Sequence, residues 1–276
     1  MDTTLLLYTS CFLLKILKGA NMFFNFRNFF NTLFKRDFFI KEYDSLHRKN
    51  SDYEELLREN PFAFIRHKFP NIFLSDDQKF IIDSFMKNDA VCVKHIRNCG
   101  MTTVYMLLCA WLTTMYQNYT IIYVSPNQKR GQDFLKLVFN KLSEFMDTDK
   151  IRISDRYLRI TFPNKTESFI YITSSSVDYN KHDRGNSFIN TVFFDNSTNI
   201  FDLDYIFPTL TSHLDIPKEY SLDYNSFPPE GFICSSEETP HLASPATIFF
   251  EKIFNDSSYF PIEIKAPYRG QIGIQY

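Results

Sequence analysis

Lys94-His95-Ile96-Arg97-Asn98-Cys99-Gly100-Met101-Thr102-Thr103 follows a short apolar run and leads into a long helical one. A strand, a loop and then Gly-x-Thr-Thr opening a helix is an arrangement that holds phosphate. Such a loop turns backbone N–H groups inward, and the helix adds the positive end of its dipole. Gly100 would let the backbone approach the phosphates, and the Thr102 hydroxyl would coordinate Mg²⁺. The lysine usual in such loops is absent. Met101 stands in its place and can donate nothing to a phosphate oxygen. Taken alone, the segment also reads as a strand–turn–helix with a glycine in the turn. Lys94 could bring a cation from another direction, although a lysine at a strand end is commonly just solvated.

Phosphate chemistry at this loop needs a sheet and helices to hold it. Ala90–Ile96 reads as a buried strand, and a helix is expected over about 102–117. TIIYVS (120–125) is a second strand, followed by a helix over 128–146. Two strand-like runs flank the turn Pro163-Asn164-Lys165-Thr166, which predicts a hairpin inserted at the sheet edge. NTVFFD (190–195) and GFICSS (231–236) are further apolar strands, and a last helix is expected over 245–254. Strands alternating with helices of this length predict an α/β fold with a mainly parallel sheet, whose ligands bind beyond the carboxyl ends of the strands. Upstream, Ser51-Asp52-Tyr53-Glu54 has capping-box spacing and starts a helix that Pro61 should stop. Ser75-Asp76-Asp77-Gln78 is a second capping box, opening the helix QKFIIDSFMKN.

With 276 residues, 44% apolar and 22% charged, the chain has ample material for a buried core. A formal net charge of -2 argues against coating nucleic acid by bulk electrostatics. Cys11, Cys92, Cys99, Cys109 and Cys234 form no CxxC pair and read as free thiols of a reducing compartment. The six His show no zinc-type spacing. Lys15 and Lys18 cut the apolar run 5–17 short of the ~20 residues that a spanning helix needs. Residues 1–50 therefore read as a helical, apolar and aromatic extension that docks on this domain or on a partner. Lys129 and Arg130 could touch DNA but read better as a solvated helix face, and Trp111 reads as core.

Four segments carry a resemblance to the large terminases of tailed phages, the motors of DNA packaging. RNCGMTT (97–103) resembles their RQxGKTT loop. Arg184-Gly185-Asn186-Ser187-Phe188, followed by Asn190–Asp195, resembles their RGNSF-x₃-hydrophobic-Asp segment. Leu74-Ser75-Asp76-Asp77-Gln78 is similar to the L-x-x-x-Gln element upstream of their phosphate loop. Gly231–Ser236 stands where they carry a strand ending in small hydroxyl residues. The four segments occur in the family order and cover roughly residues 60–265.

The resemblance implies a P-loop NTPase fold of the ASCE type over 51–265, with 266–276 as a tail or truncated linker. It implies ATP and Mg²⁺ as cofactors, held by Gln78, Arg97, Asn98, Cys99, Gly100, Met101, Thr102 and Thr103, with Thr102 and Asp195 on the metal. Asp195 takes the Walker B position. On its own, it is also an Asp capping the next loop. Arg97 matches an arginine that acts on the transferring phosphate, or is a surface arginine. Gln78 matches a residue that reads adenine, and is equally a capping-box glutamine. Arg184 and Asn186 would brace the loop beside Asp195, and Ser235 and Ser236 would couple nucleotide state to motion.

Asn196 stands where the family has the glutamate that activates water, and an amide cannot accept that proton. Asp202 and Asp204 lie nearby in sequence as substitutes. The resemblance further implies double-stranded DNA, a portal at the capsid vertex or other terminase subunits as partners, in the host cytoplasm and without a membrane. The family's nuclease domain has no counterpart before Tyr276, so a separately encoded nuclease is expected if cutting occurs at all. Two roles follow: a packaging ATPase with an altered site, or a non-catalytic structural or regulatory partner of an active motor.

Overall fold

The structure is a computed structural model that describes residues 51–175, 188–214, 229–237 and 244–264. The chain divides into two units, Met1–Glu55 and Leu56–Tyr276. Of the first unit only residues 51–55, helical, are described, so the expectations for the N-terminal extension and the tail lie outside the described residues. So do Arg184, Gly185, Asn186 and Ser187.

The elements follow in the order α1 (Ser51–Glu59), α2 (Pro61–Lys68), α3 (Asp76–Lys87), β1 (Ala90–His95), α4 (Met101–Met115), β2 (Thr120–Val124), α5 (Gln128–Leu142), β3 (Ile151–Ile153), β4 (Tyr157–Thr161), β5 (Glu167–Thr173), β6 (Thr191–Phe194), α6 (Leu203–Thr211), β7 (Gly231–Glu237), α7 (Pro245–Phe254) and β8 (Phe260–Ile264). Pro61 does end α1 but also begins α2. Its missing N–H is harmless at a first helical position, and Asn60 caps the new helix by accepting from the N–H groups of Phe62 and Ala63. The Ser75 capping box is present in both directions.

One eight-stranded sheet runs in the order β3-β4-β5-β2-β6-β7-β1-β8. Six strands are parallel, and β3 and β4 add antiparallel at one edge. The mainly parallel α/β sheet flanked by helices is thus as read. The edge hairpin is also as read, except that β5 is shared with the parallel core and β3 extends the edge. The strands β3 and β8 and the helix α6 were not read from sequence. β3 is only three residues long, and the proline in Phe260–Ile264 lowers its strand signal. Pro208 does the same for α6 as a helix.

Side chains alternate across the sheet, so each strand feeds two cores. Val91, Val93, Tyr123 and Phe193 join a core built with α2, α3, α4 and α5. Cys92, Ile122, Val124, Val192, Phe194, Phe232 and Cys234 join a second core with α6 and α7. Trp111 is fully buried and donates its indole N–H to Leu57 O at 2.9 Å. This two-sided burial explains why the central strands read as continuous apolar runs.

Gly231 opens β7 at φ 143°, where a Cβ would stand 1.9 Å from the backbone oxygen of Asp89. That oxygen accepts the Phe232 N–H at 2.9 Å, so it cannot move away without losing the start of the β7–β1 ladder. Gly231→Ala is expected to lower unfolding free energy by roughly 2 kcal/mol, read as a lower denaturant midpoint at unchanged slope.

Candidate functional site

The carboxyl ends of β6, β7 and β1 lie side by side, and the loop that leaves β1 leads directly into α4. The loop leaving β1 has two left-handed residues, Asn98 at φ 65° and Gly100 at φ 84°. Asn and Gly are the residues that adopt this conformation readily. Such loops gather N–H groups on one side. Gly100 is the N-cap of α4 and brings no side chain to cap it. Its carbonyl accepts the N–H groups of Thr103 and Val104 at 3.0 and 3.2 Å.

Gln78 closes the other side. Its Oε1 accepts the Ser75 N–H at 3.0 Å and its Nε2 donates to Gly100 O at 3.2 Å. A Cβ at Gly100 would stand 2.2 Å from that Nε2. The capping role of Gln78 is therefore present, and the same side chain fixes the loop that leaves β1. Cys99 is buried, and burial pushes its thiol up to about 11, so it is an inert wall rather than a thiolate. Met101 is only 4% exposed and packs into the α4-side core. Thr102 is exposed and Thr103 half-buried.

Asp195 follows β6 directly. Its Oδ2 accepts the Tyr123 hydroxyl at 2.7 Å, and its N–H donates to Val124 O at 2.9 Å. Tyr123 is fixed in turn by stacking on Phe134 at 3.7 Å. Burial raises the Asp195 carboxyl from its usual range, while the Tyr123 hydroxyl and the charges of Arg130 and His95 pull it down. Arg130, read from sequence as a solvated helix face, is exposed on α5 but within electrostatic reach of Asp195.

Asn196 adopts φ 53°, ψ 54° and is 8% exposed. Its Oδ1 accepts from Asn199 Nδ2 at 2.9 Å, so the amide is spent on the turn that leaves β6. Ser197 and Ser236 tie that turn to β7. Ser197 Oγ donates to Ser235 O at 2.8 Å, and Ser236 Oγ donates to Thr198 Oγ1 at 2.9 Å. Ser235 Oγ donates to Phe194 O at 3.3 Å, so both hydroxyls fasten β7 to the end of β6.

The suggested substitutes stand elsewhere. Lys94 lies on the other face of β1, where its ammonium meets Glu251 of α7 at 2.8 Å and sits 5.8 Å from the Phe254 ring. Asp202 and Asp204 belong to the start of α6, whose buried residues join the α7-side core, across the sheet from α4. A one-residue step along a strand decides the face, and Lys94 falls on the wrong one.

Two residues at the site were missed in the sequence, Tyr123 and Glu237, and the place of His95 within its loop was not read. His95 and Glu237 stand at the paired ends of β1 and β7. His95 is 8% exposed, its Nδ1 lies 2.9 Å from Ile96 O, and its Nε2 is buried with no partner. Arg97, 84% exposed, places its Nε 3.9 Å from Glu237 Oε1. Being the last residues of parallel strands, beyond which ligands bind, was the signal available for both.

Burial holds the His95 imidazole below its usual 6.5, against the opposing pull of Asp195 and Glu237. The unfolded chain then takes up a proton near 6.5 and the folded one only at lower pH, so stability falls as pH drops through that window. His95→Gln, which cannot titrate, is expected to show a shallower loss of denaturation midpoint between pH 7 and 5 than the native chain.

Among the described residues, no group of three or more His, Cys, Asp or Glu could hold a metal ion by itself. Mg²⁺ would fit here only as it commonly binds, through one carboxylate, a hydroxyl, waters and the phosphates it accompanies. Asp195 and Thr102 would be the donors of that kind. No described helix is long and apolar enough to cross a membrane.

No protein-family model matches the sequence, and no curated protein matches it. Among solved structures, the chain is similar to the large terminase of a thermophilic bacteriophage, with 11% identity and a TM-score of 0.47 over 70% of this chain and 46% of that one. The chain thus spans about half of that protein's length. The same phage protein in complex with ATP-gamma-S is similar over 59% of this chain and 38% of that one, with 11% identity and a TM-score of 0.41. The large-terminase ATPase domain of Thermus phage P74-26 gives 10% identity and a TM-score of 0.48 over 70% of this chain and 86% of that one. Likeness of this extent is loose, and what the chain does has to come from its own residues.

Proposed function

We propose that this chain is a terminase-like ATPase-fold protein of viral DNA packaging, with an ATP and Mg²⁺ site between the loop 94–103 and Asp195. The observation that carries the nucleotide site is one juxtaposition. A helix opening at a left-handed glycine without a side-chain cap follows β1, and a half-buried carboxylate ends β6 one strand away across β7, within electrostatic reach of Cys99 beside that glycine. A helix N-terminus attracts phosphate, and an adjacent carboxylate attracts the cation that phosphate brings. In this reading Thr102 and Asp195 hold Mg²⁺, Arg97 approaches the terminal phosphate, and Gln78 supports the loop. The packaging role, with double-stranded DNA, a portal or other terminase subunits as partners, rests on the four resembling sequence segments. Arg184 and Asn186 are assigned to bracing by that resemblance alone.

A second reading, a non-catalytic structural or regulatory partner of an active motor that binds nucleotide weakly or not at all, is favoured by Met101 and Asn196. Both are buried, and Asn196 is hydrogen-bonded within the chain. Titration of the purified chain with a fluorescent ATP analogue tests the nucleotide site. Saturable, Mg²⁺-dependent binding is expected, and it should vanish in Gly100→Val, where the side chain has neither the φ nor the room. An unaltered affinity in that variant would place any nucleotide somewhere other than this loop.

A further inference from the structure

Hydrolysis at such a site needs a carboxylate that orients a water and takes its proton. Position 196 cannot provide it: the residue is an amide, it is buried, and its oxygen already accepts from Asn199. Asp202 and Asp204 start a helix on the far side of the sheet. Asp77 is exposed in the first turn of α3, where its charge is felt at Cys99 behind the loop.

Glu237 is placed differently. β7 lies between β6 and β1, and Glu237 pairs in register with His95, the residue from which the phosphate loop departs. Paired residues of parallel neighbours share a face, so Glu237 stands on the α4 side, as His95 does. Ser235, two residues earlier and on the same face, is bonded to the carbonyl of Phe194, next to Asp195. Along the sheet, the backbone of Glu237 is therefore about one strand repeat, roughly 7 Å, beyond the level of Asp195. It is half-buried, its side chain 27% exposed, with the Arg97 guanidinium 3.9 Å away. Beside it, the buried Nε2 of His95 has no partner. Both carboxylates lie within electrostatic reach of that ring.

Resting on the nucleotide site proposed above, we propose that Glu237 is the general base of ATP hydrolysis in this chain, acting from the end of β7 in place of the residue after Asp195. The carboxylate accepts one proton from a water while the water oxygen forms a bond to the γ-phosphorus. The bond from that phosphorus to the β,γ-bridging oxygen breaks, and ADP leaves with its electron pair. The products are ADP, inorganic phosphate and the proton released from Glu237. Arg97 positions the carboxylate in the resting site and is freed to meet phosphate when nucleotide enters.

The test pairs binding with turnover. Affinity for Mg-ATP is measured with a fluorescent ATP analogue, and phosphate release at steady state, for the native chain, Glu237→Gln and Asp204→Asn. Glu237→Gln is isosteric and sits at a partly exposed strand end, and a thermal melt confirms that it folds. It is expected to bind the analogue within about threefold of the native chain and to lose on the order of 10²-fold or more in turnover. Asp204→Asn should keep both. Glu237→Gln turnover within twofold of native would overturn the assignment while leaving the nucleotide site intact. Binding without turnover in the native chain would overturn it too and establish the partner-subunit reading. Absence of binding would overturn the nucleotide site itself, and the role of Glu237 with it.

Discussion

Met101→Lys is expected to tighten Mg-ATP binding about 100-fold, since two charge-assisted bonds to phosphate oxygens are worth roughly that much. The same substitution should weaken the nucleotide-free protein. Met101 is the first residue of α4 and lies 4% exposed among the α4-side core residues. A lysine stem can follow the path of the methionine chain, but its ammonium must then lie against apolar neighbours or reach back to the loop. A cost of about 1–3 kcal/mol is expected in the empty state, recovered when triphosphate is bound. Melting the native and variant chains with and without Mg-ATP reads both effects. A variant that is destabilised and gains no affinity would mean that position 101 does not face phosphate in this fold. Methionine would then be a core residue of α4 rather than a lost ligand.

That double expectation shows where sequence and structure part company at the loop. Gly100, Thr102 and the strand before them were legible because the pattern strand–glycine–hydroxyl–helix has a local cause, and the structure has Gly100 at the left-handed N-cap. The capping box at Ser75 was equally local. Its glutamine also spans 22 residues to reach Gly100 O, a contact that no spacing rule announces. Long-range placement explains the remaining gaps. Which face Lys94 takes depends on register with β7 and β8, and that register sends it to Glu251. Asp202 is six residues from Asn196, yet the short turn at Ser197–Asn199 carries the chain to the other side of the sheet. His95 and Glu237 are 142 positions apart in sequence and neighbours only because β7 inserts beside β1. A parallel sheet makes its site from such non-local pairs, so the carboxyl ends could be named from sequence while the residues that meet there could not.

At Asp195 the proposed site sets holding the fold against holding a ligand. Asp195→Asn is expected to lose Mg²⁺-dependent nucleotide binding by at least about 100-fold, since the amide offers the cation a weak neutral donor in place of a charged one. It should also make the empty protein more stable at neutral pH. Burial raises the carboxyl of Asp195, so its ionised form is disfavoured where it stands. Asparagine has nearly the same shape and its Oδ1 can still accept the Tyr123 hydroxyl, so the packing of Tyr123 on Phe134 is kept. A gain on the order of 1 kcal/mol is expected, seen as a higher melting temperature without nucleotide and no further rise on adding Mg-ATP. A carboxylate that merely capped the following turn would give the opposite result, a variant of equal or lower stability with nucleotide binding unchanged. Stability gained together with binding lost marks Asp195 as a residue kept for its ligand at the expense of the fold.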